Sequence, residues 1–366
     1  MPAFIKDLGS WKSVKNIFVK DSGSWKSVKG GWVKDNGIWK RFFSSGPPVP
    51  TSLTTSIVNL PNARDYMFAA TNGIDRIVLV NNSGDNTGFA VTTTNGTTWT
   101  ESPLPNLSPI SVGYTSIKYG NGVYIACGFE SSIVAKSTNG INWSTTGLAT
   151  YTGGFYDIEY GQGNFVMTDN YGIANISSND GATWSVANNF FKNNNWGVAF
   201  GNNTWVGYTA TDYYDPSTLG FYYSNNVGAT FARTNLPSLI NHYSTPVSFA
   251  NNMFFSYIFD GPSRAINGLY YSSNGISWSK ATGSITTVAY EQYTNIAYGD
   301  GVYMCFDRNR KGLLWSIDGM SWNFYTDANT SSSSAVSVMY RLMCYCPGLG
   351  FFVAKGGKVL RASPVF

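Results

Sequence analysis

The side chains able to do chemistry in this 366-residue chain are few and scattered. His242 is the only histidine. A histidine base needs a nucleophile beside it, and no G-x-S-x-G elbow, P-loop or metal-ligand cluster accompanies it. Asp212 and Asp215 could ligate Ca²⁺, but in the polar stretch DYYDPSTLG they read as solvated loop acids. The four cysteines, Cys127, Cys305, Cys344 and Cys346, match no zinc spacing and read as buried, reduced thiols. No cofactor and no metal is expected.

The elements that must position these residues are β-strands. The chain is 12% charged and 16% aromatic with 39 Gly, too apolar and aromatic to be disordered. It shows no amphipathic stretch of 3.6-residue period. Short β-prone runs between Gly and Asn turns indicate an all-β fold. With no 18-residue apolar run, no membrane span is expected. The start, MPAFIKDLGS, lacks the apolar core of a signal peptide.

Two periods organise the chain. The longer one runs from about residue 60 to the end. Its first element is an aromatic residue and a Gly-rich turn followed by a strand, as in Tyr119-GNGVYIACG, Tyr160-GQGNFVMTD and Tyr298-GDGVYMCFD. Looser copies begin at Phe68, Phe200, Phe249 and Tyr345, making seven. Its second element, Ser/Thr-x-Asn/Asp-Gly-x-x-Trp, ends at Trp99, Trp143, Trp184, Trp278 and Trp322, with a variant one residue longer ending at Phe231. These anchors lie 44, 41, 47, 47 and 44 residues apart. A period in the forties with four short strands per unit is the signature of a β-propeller. The second element resembles the Asp-box (BNR) repeat of sialidase-like propellers, over roughly residues 51–366. The Asn/Asp and Gly make the turn between the two outer strands of a blade, and the Trp packs between blades. The seventh unit ends without an outer strand. Residues 51–61 have no other role, so they are expected to supply it and close the ring.

In a propeller the first-to-second and third-to-fourth turns share one face. The second-to-third turns and the interblade connections share the other. The short uniform turns fall on the first face and the irregular loops on the second, where binding usually lives. The candidates there are Phe190, Phe191, Trp196, Asp212, Tyr213, Tyr214, Asp215, His242, Tyr243, Arg264, Tyr290, Tyr293, Arg308 and Arg310. Aromatic rings with Asn amides suit a sugar or a protein surface. The resemblance would imply a glycosidase with three arginines on a carboxylate, a Tyr–Glu pair and an acidic residue. The family's Arg-Ile-Pro signature is absent, Asp75-Arg76-Ile-Val being the nearest string. Tyr290 and Glu291 are adjacent and so point to opposite strand faces. The expectation is therefore a binding protein rather than an enzyme.

The shorter period is confined to residues 1–43. KDLGSWKSVK, KDSGSWKSVK and KDNGIWKRFF recur every 14 residues and read as three β-hairpins turning at Asp-x-Gly. They carry Trp11, Trp25, Trp32, Trp39, Lys12, Lys26 and Lys40. With eight Lys, one Arg and three Asp the segment is +6, against +4 for the whole chain, so the remainder is −2. Lone hairpins are marginal in water, which suits an arm ordered by a partner. A Ser/Gly/Pro linker, 44–50, separates arm from propeller. Such an arm ahead of a larger β-domain resembles the docking ends of tailed-phage structural proteins. That resemblance implies a virion protein of tail-fibre or receptor-binding type. Residues 1–43 would dock on other virion proteins, in a possible trimer, and the propeller would engage a host glycan or protein. A purely structural baseplate or decoration role is one alternative and a sialidase-like glycan-cleaving enzyme the second, and nucleic acid is not an expected partner.

Overall fold

The structure is a computed structural model. It describes every residue except 1–2, 8–9, 15–17, 22–23, 28–29, 36–37, 45–48, 63, 82–87, 107–112, 129–130, 132, 148–154, 170–172, 188–194, 210–219, 228–230, 235–241, 245–246, 261–265, 285–292, 332–342 and 356. The chain divides into two compact units, Met1–Ser52 with Val365–Phe366, and Leu53–Pro364.

The first unit holds the 14-residue repeats as three separate two-stranded antiparallel sheets. Ala3–Asp7 pairs with Ser10–Val14, Phe18–Asp21 with Ser24–Ser27, and Gly30–Asp35 with Ile38–Ser44. The register repeats with the sequence. Trp11, Trp25 and Trp39 stand opposite Lys6, Lys20 and Lys34. Lys12, Lys26 and Lys40 stand opposite Ile5, Val19 and Val33, and Trp32 opposite Arg41.

The second unit is a seven-bladed β-propeller of antiparallel four-stranded blades, two of which carry an added strand. The inner strands of blades 1–7 are Tyr66–Thr71, Tyr114–Gly120, Phe155–Gly161, Asn195–Gly201, Ser248–Ala250, Ala297–Gly299 and Met343–Cys346. Blade 5 gains His242–Ser244 beside its second strand, and blade 6 gains Thr282–Gly283, parallel to its outer strand. The last blade is completed by Ser52–Asn59, which lies at the outer edge of Lys358–Val365. Thr51 N donates to Val365 O and Leu60 N to Gly357 O, so the two strands run in opposite directions. The first and last parts of the chain thus share one sheet, as the missing strand required.

Uniform turns dock each blade on the one before it. In the Asn/Asp-Gly turn of blade 2, Asn139 Oδ1 accepts the amides of Ile141 and Asn142, and Ser137 Oγ accepts that of Gly140. Asn95, Asn274 and Asp318 hold the next two amides at 2.8–2.9 Å in the same way. The turn glycine sits flush on the preceding blade. A Cβ on Gly140 would meet Val78, on Gly181 Ile125, on Gly275 Val206, on Gly319 Met253, and on Gly96 Phe352 of blade 7. The tryptophan three residues on fills the same seam. Trp278 stacks on Phe221 at 4.5 Å, Trp322 meets Phe255 edge-on, and Trp99 meets Phe352. Blade 3 departs from the simplest alignment of its motif. Its capping hydroxyl is Ser177, four residues before Gly181, and Asp180 is an extra left-handed residue (φ 58°). Val227 (φ 50°) holds the matching place in blade 4, so two adjacent blades share the longer turn.

Asp318 is the lone acid among the described turns that Asn otherwise caps. Burial alone would raise its pKa, but the amides of Ser321 and Met320 and the Ser316 hydroxyl outweigh this and hold it below the usual carboxylate range. A folded pKa below the unfolded value stabilises above the unfolded pKa, near 3.9, and the contribution disappears as pH falls through the folded pKa. Asp318→Asn retains the acceptor. It is expected to change stability at pH 7 by less than about 1 kcal/mol and to remove this part of the acid dependence. Urea melts of both proteins between pH 2 and 7 check this, and parallel curves would refute it.

Candidate functional site

The inner strands surround an axial cavity of about 290 Å³ that extends to Thr71 and Asn251 at the Gly-turn end. Its lining is set by one repeated position, two residues before the pair that closes each first turn. Ala69, Lys118, Glu159, Ala199, Ser248, Ala297 and Cys344 occupy it in blades 1–7. All but Ala199 line the cavity, and among the described residues Lys118 and Glu159 are the only charged ones that do. Lys118 Nζ lies 2.5 Å from Glu159 Oε1, which also accepts the Tyr160 amide at 2.9 Å. The Glu159 side chain is 8% exposed and that of Lys118 36%. The other five positions carry small side chains, which is what leaves the channel open.

The next residue on each inner strand sits at the seam, and Ala70, Tyr119, Phe249, Tyr298 and Tyr345 also border the cavity there. Tyr160 lies over Gly120, Phe200 over Gly161, Phe249 over Gly201 and Tyr345 over Gly299. Each ring also leans on an aromatic of its own second strand at 4.7–4.9 Å. Asp157, 1% exposed, braces the seam further out. It accepts hydrogen bonds from Ser116 Oγ and from the amide of Val198, one blade on each side. Asn295 does the same between blades 6 and 7, exchanging hydrogen bonds with the Met343 backbone.

The loop-face candidates fare unevenly. Phe190, Phe191, Asp212, Tyr213, Tyr214, Asp215, Arg264 and Tyr290 lie outside the described residues. Trp196 stands on the inner strand of blade 4, where the register shifts between Asn195 and Gly197. His242 and Tyr243 pair with Asp260 and Phe259 in blade 5. Tyr293, Arg308 and Arg310 come together in blade 6, but Tyr293 is not the exposed loop residue the sequence suggested. It is 5% exposed and stacked on Tyr257 at 4.6 Å, because its residue bridges to Asp307 at the end of a buried strand. Arg310 is likewise drawn inward. It grips Asp307 at 2.6 Å and covers the Phe324 ring at 4.1 Å. The Tyr257 hydroxyl and Cys305 Sγ lie 3.0 Å apart, and burial pushes the thiol pKa up to about 12. All four cysteines are buried and free.

The features of a three-arginine site can be traced individually. Arg64 lies over Phe89 and pairs with Glu101, Arg76 donates to Asn139 O, and Arg361 donates to Leu349 O. A Tyr–Glu hydrogen bond does exist, Tyr66 to Glu101 at 2.7 Å, but Tyr66 is 2% exposed and Glu101 stands on an outer strand. Among the described residues, no arginine lines the axial cavity. These groups hold blade 1 where the closing strand crosses into it.

The Lys118–Glu159 pair escaped the sequence reading, although its signal was present. Aligned at the Gly turns, FAAT, IKYG, IEYG, VAFG, VSFA, IAYG and MCYC show opposite charges in adjacent repeats and small residues in the rest.

The fold and channel define the chain as a seven-bladed β-propeller. No protein-family model matches the sequence, and no curated protein matches it. Among solved structures, selenomethionine-substituted virginiamycin B lyase from Staphylococcus aureus superposes with a TM-score of 0.64 at 11% identity, covering 86% of this chain and 100% of that one. YCF48 bound to D1 peptide gives 0.60 at 17% identity, covering 85% and 97%. YCF48 from Cyanidioschyzon merolae gives 0.56 at 14% identity, covering 83% and 98%. Likeness at such identities establishes the fold and nothing finer, and it extends both to an enzyme and to a peptide-bound protein.

Proposed function

We propose that this chain is a virion structural protein of tail-fibre or receptor-binding type. Residues 1–43 dock on other virion proteins, and the propeller engages a host-surface protein or glycan. The observation that carries this reading is the division into a hairpin-repeat unit and a closed propeller. Each of the three hairpins is a sheet of its own, so its outward strand edges take no partner from the other hairpins among the described residues. Such edges are templates for another chain, and two-stranded ribbons need that support to persist. The propeller closes on itself through Ser52–Asn59 and so forms a head that does not need the arm. A propeller of this architecture carries a peptide in the YCF48 structure, which favours a protein ligand for the head here.

The test compares the full chain with one beginning at Val49, which retains the closing strand. Both are incubated with host cells and with particles lacking this protein. The shortened chain is expected to bind cells as the full one does and to fail to join particles. Incorporation without the arm, or no cell binding by either protein, overturns the reading.

A further inference from the structure

We propose that the axial channel is a binding site for a small zwitterion of the α-amino-acid class. Its carboxylate pairs with Lys118 and its ammonium group with Glu159. The pair joins neighbouring blades and faces a cavity of about 290 Å³. Neither partner is saturated. Glu159 Oε1 takes Lys118 and the Tyr160 amide, while Oε2 and two of the three Lys118 N–H groups have no partner among the described residues. An acceptor and donors of full opposite charge therefore stand side by side facing the cavity, able to exchange solvent for a charged ligand.

The chemistry of the lining selects the ligand. Among the described residues the rest of the wall is uncharged, so the lining they form is neutral overall. A net anion or cation would satisfy one member of the pair and face like charge on the other. A sugar or polyol would offer only dipoles to two full charges. A zwitterion places its two charges in alternation with Lys118 and Glu159, so that each of the four lies beside opposite charge. Across the ring, blades 5–7 present Ser248, Ala297 and Cys344 at the same position, side chains small enough to leave room for a short aliphatic side chain.

The plain alternative is that the pair only braces blade 2 against blade 3. Calorimetric titration of the full chain with L-alanine separates the two, with propionate, ethylamine and glucose as probes bearing one charge or none. Saturable binding of L-alanine is expected, at least tenfold tighter than any of the three. Glu159→Gln retains shape and the amide hydrogen bond and is expected to weaken alanine at least tenfold while the protein remains folded. Should Glu159→Gln not fold, Lys118→Met, at the more exposed partner, is read in the same way. No alanine binding to the wild-type chain, equal binding of propionate or glucose, or undiminished alanine binding in a folded variant each overturns the proposal.

Discussion

Removing residues 1–61 is expected to abolish cooperative folding of the propeller, whereas removing residues 1–48 is expected to leave it intact. The 13 residues between these two cuts contain the outer strand of the seventh blade. Leu53 and Leu60 are 4% and 7% exposed, and both belong to the core cluster that joins blades 6, 7 and 1. Deleting a buried leucine side chain costs about 2–5 kcal/mol, so the two together remove roughly 4 kcal/mol or more before any backbone pairing is considered. Domains are stable by only about 5–15 kcal/mol. The strand is also latched from blade 6, where Asp327 accepts from Thr55 and Asn329 Nδ2 donates to Thr55 O at 3.1 Å. Its loss exposes a new edge along Lys358–Val365, which invites pairing with other chains. Urea melts followed by far-ultraviolet circular dichroism, with size exclusion for aggregates, check the outcome. Equal midpoints for the two truncations would show that the strand is dispensable. A peptide of residues 49–61 added to the shorter chain should restore part of the transition.

That closure was legible because it follows from counting: six complete units, one lacking a strand, and one β-prone stretch without a partner. The blades were legible for a similar reason. Each Asn/Asp-Gly turn is a local device whose residues are contiguous in sequence, so Ser137, Asn139 and Gly140 announce the turn they build. The extra residue in blade 3 was hidden because Ser178-Asn179-Asp180-Gly181 fits the motif as written. Only the Ser177 hydroxyl on the Gly181 amide shows the true frame. Site residues were harder to place because exposure is not written locally. Tyr293 reads as a loop aromatic, yet a bridge to Asp307 and a ring beneath it bury it. Lys118 and Glu159 lie 41 residues apart and meet only because consecutive inner strands ring one axis. Their meaning depends on the five small residues at the same position elsewhere, a comparison across repeats that no single motif supplies.

The glycines that close the inner strands make the second strong prediction. Gly299→Ala is expected to cost about 3 kcal/mol, far more than the usual helix- or strand-propensity change, because the space beside it is already filled. A Cβ there would lie 2.2 Å from three ring atoms of Tyr345 in the next blade. The Tyr345 ring has little freedom to withdraw. It leans on Phe351 at 4.9 Å, and its hydroxyl donates to Asp300 Oδ1 at 2.7 Å. The clash is therefore steric and interblade, and a double-mutant cycle isolates it. Tyr345→Ala removes the ring, at a cost of about 3 kcal/mol on its own. In that background Gly299→Ala should cost less than about 1 kcal/mol, giving a coupling of roughly 2 kcal/mol in urea melts of the four proteins. Additive costs would mean that the alanine strains its own strand rather than the seam. The same reciprocity holds in sequence: blade 1 has Ala70 where the other blades have an aromatic, and blade 7 has Cys346 where most have glycine. At the seam between blades 7 and 1 the missing ring is therefore matched by the buried Cys346, whereas Thr71 and Ala250 are each followed by an aromatic, Tyr119 and Tyr298, in the next blade.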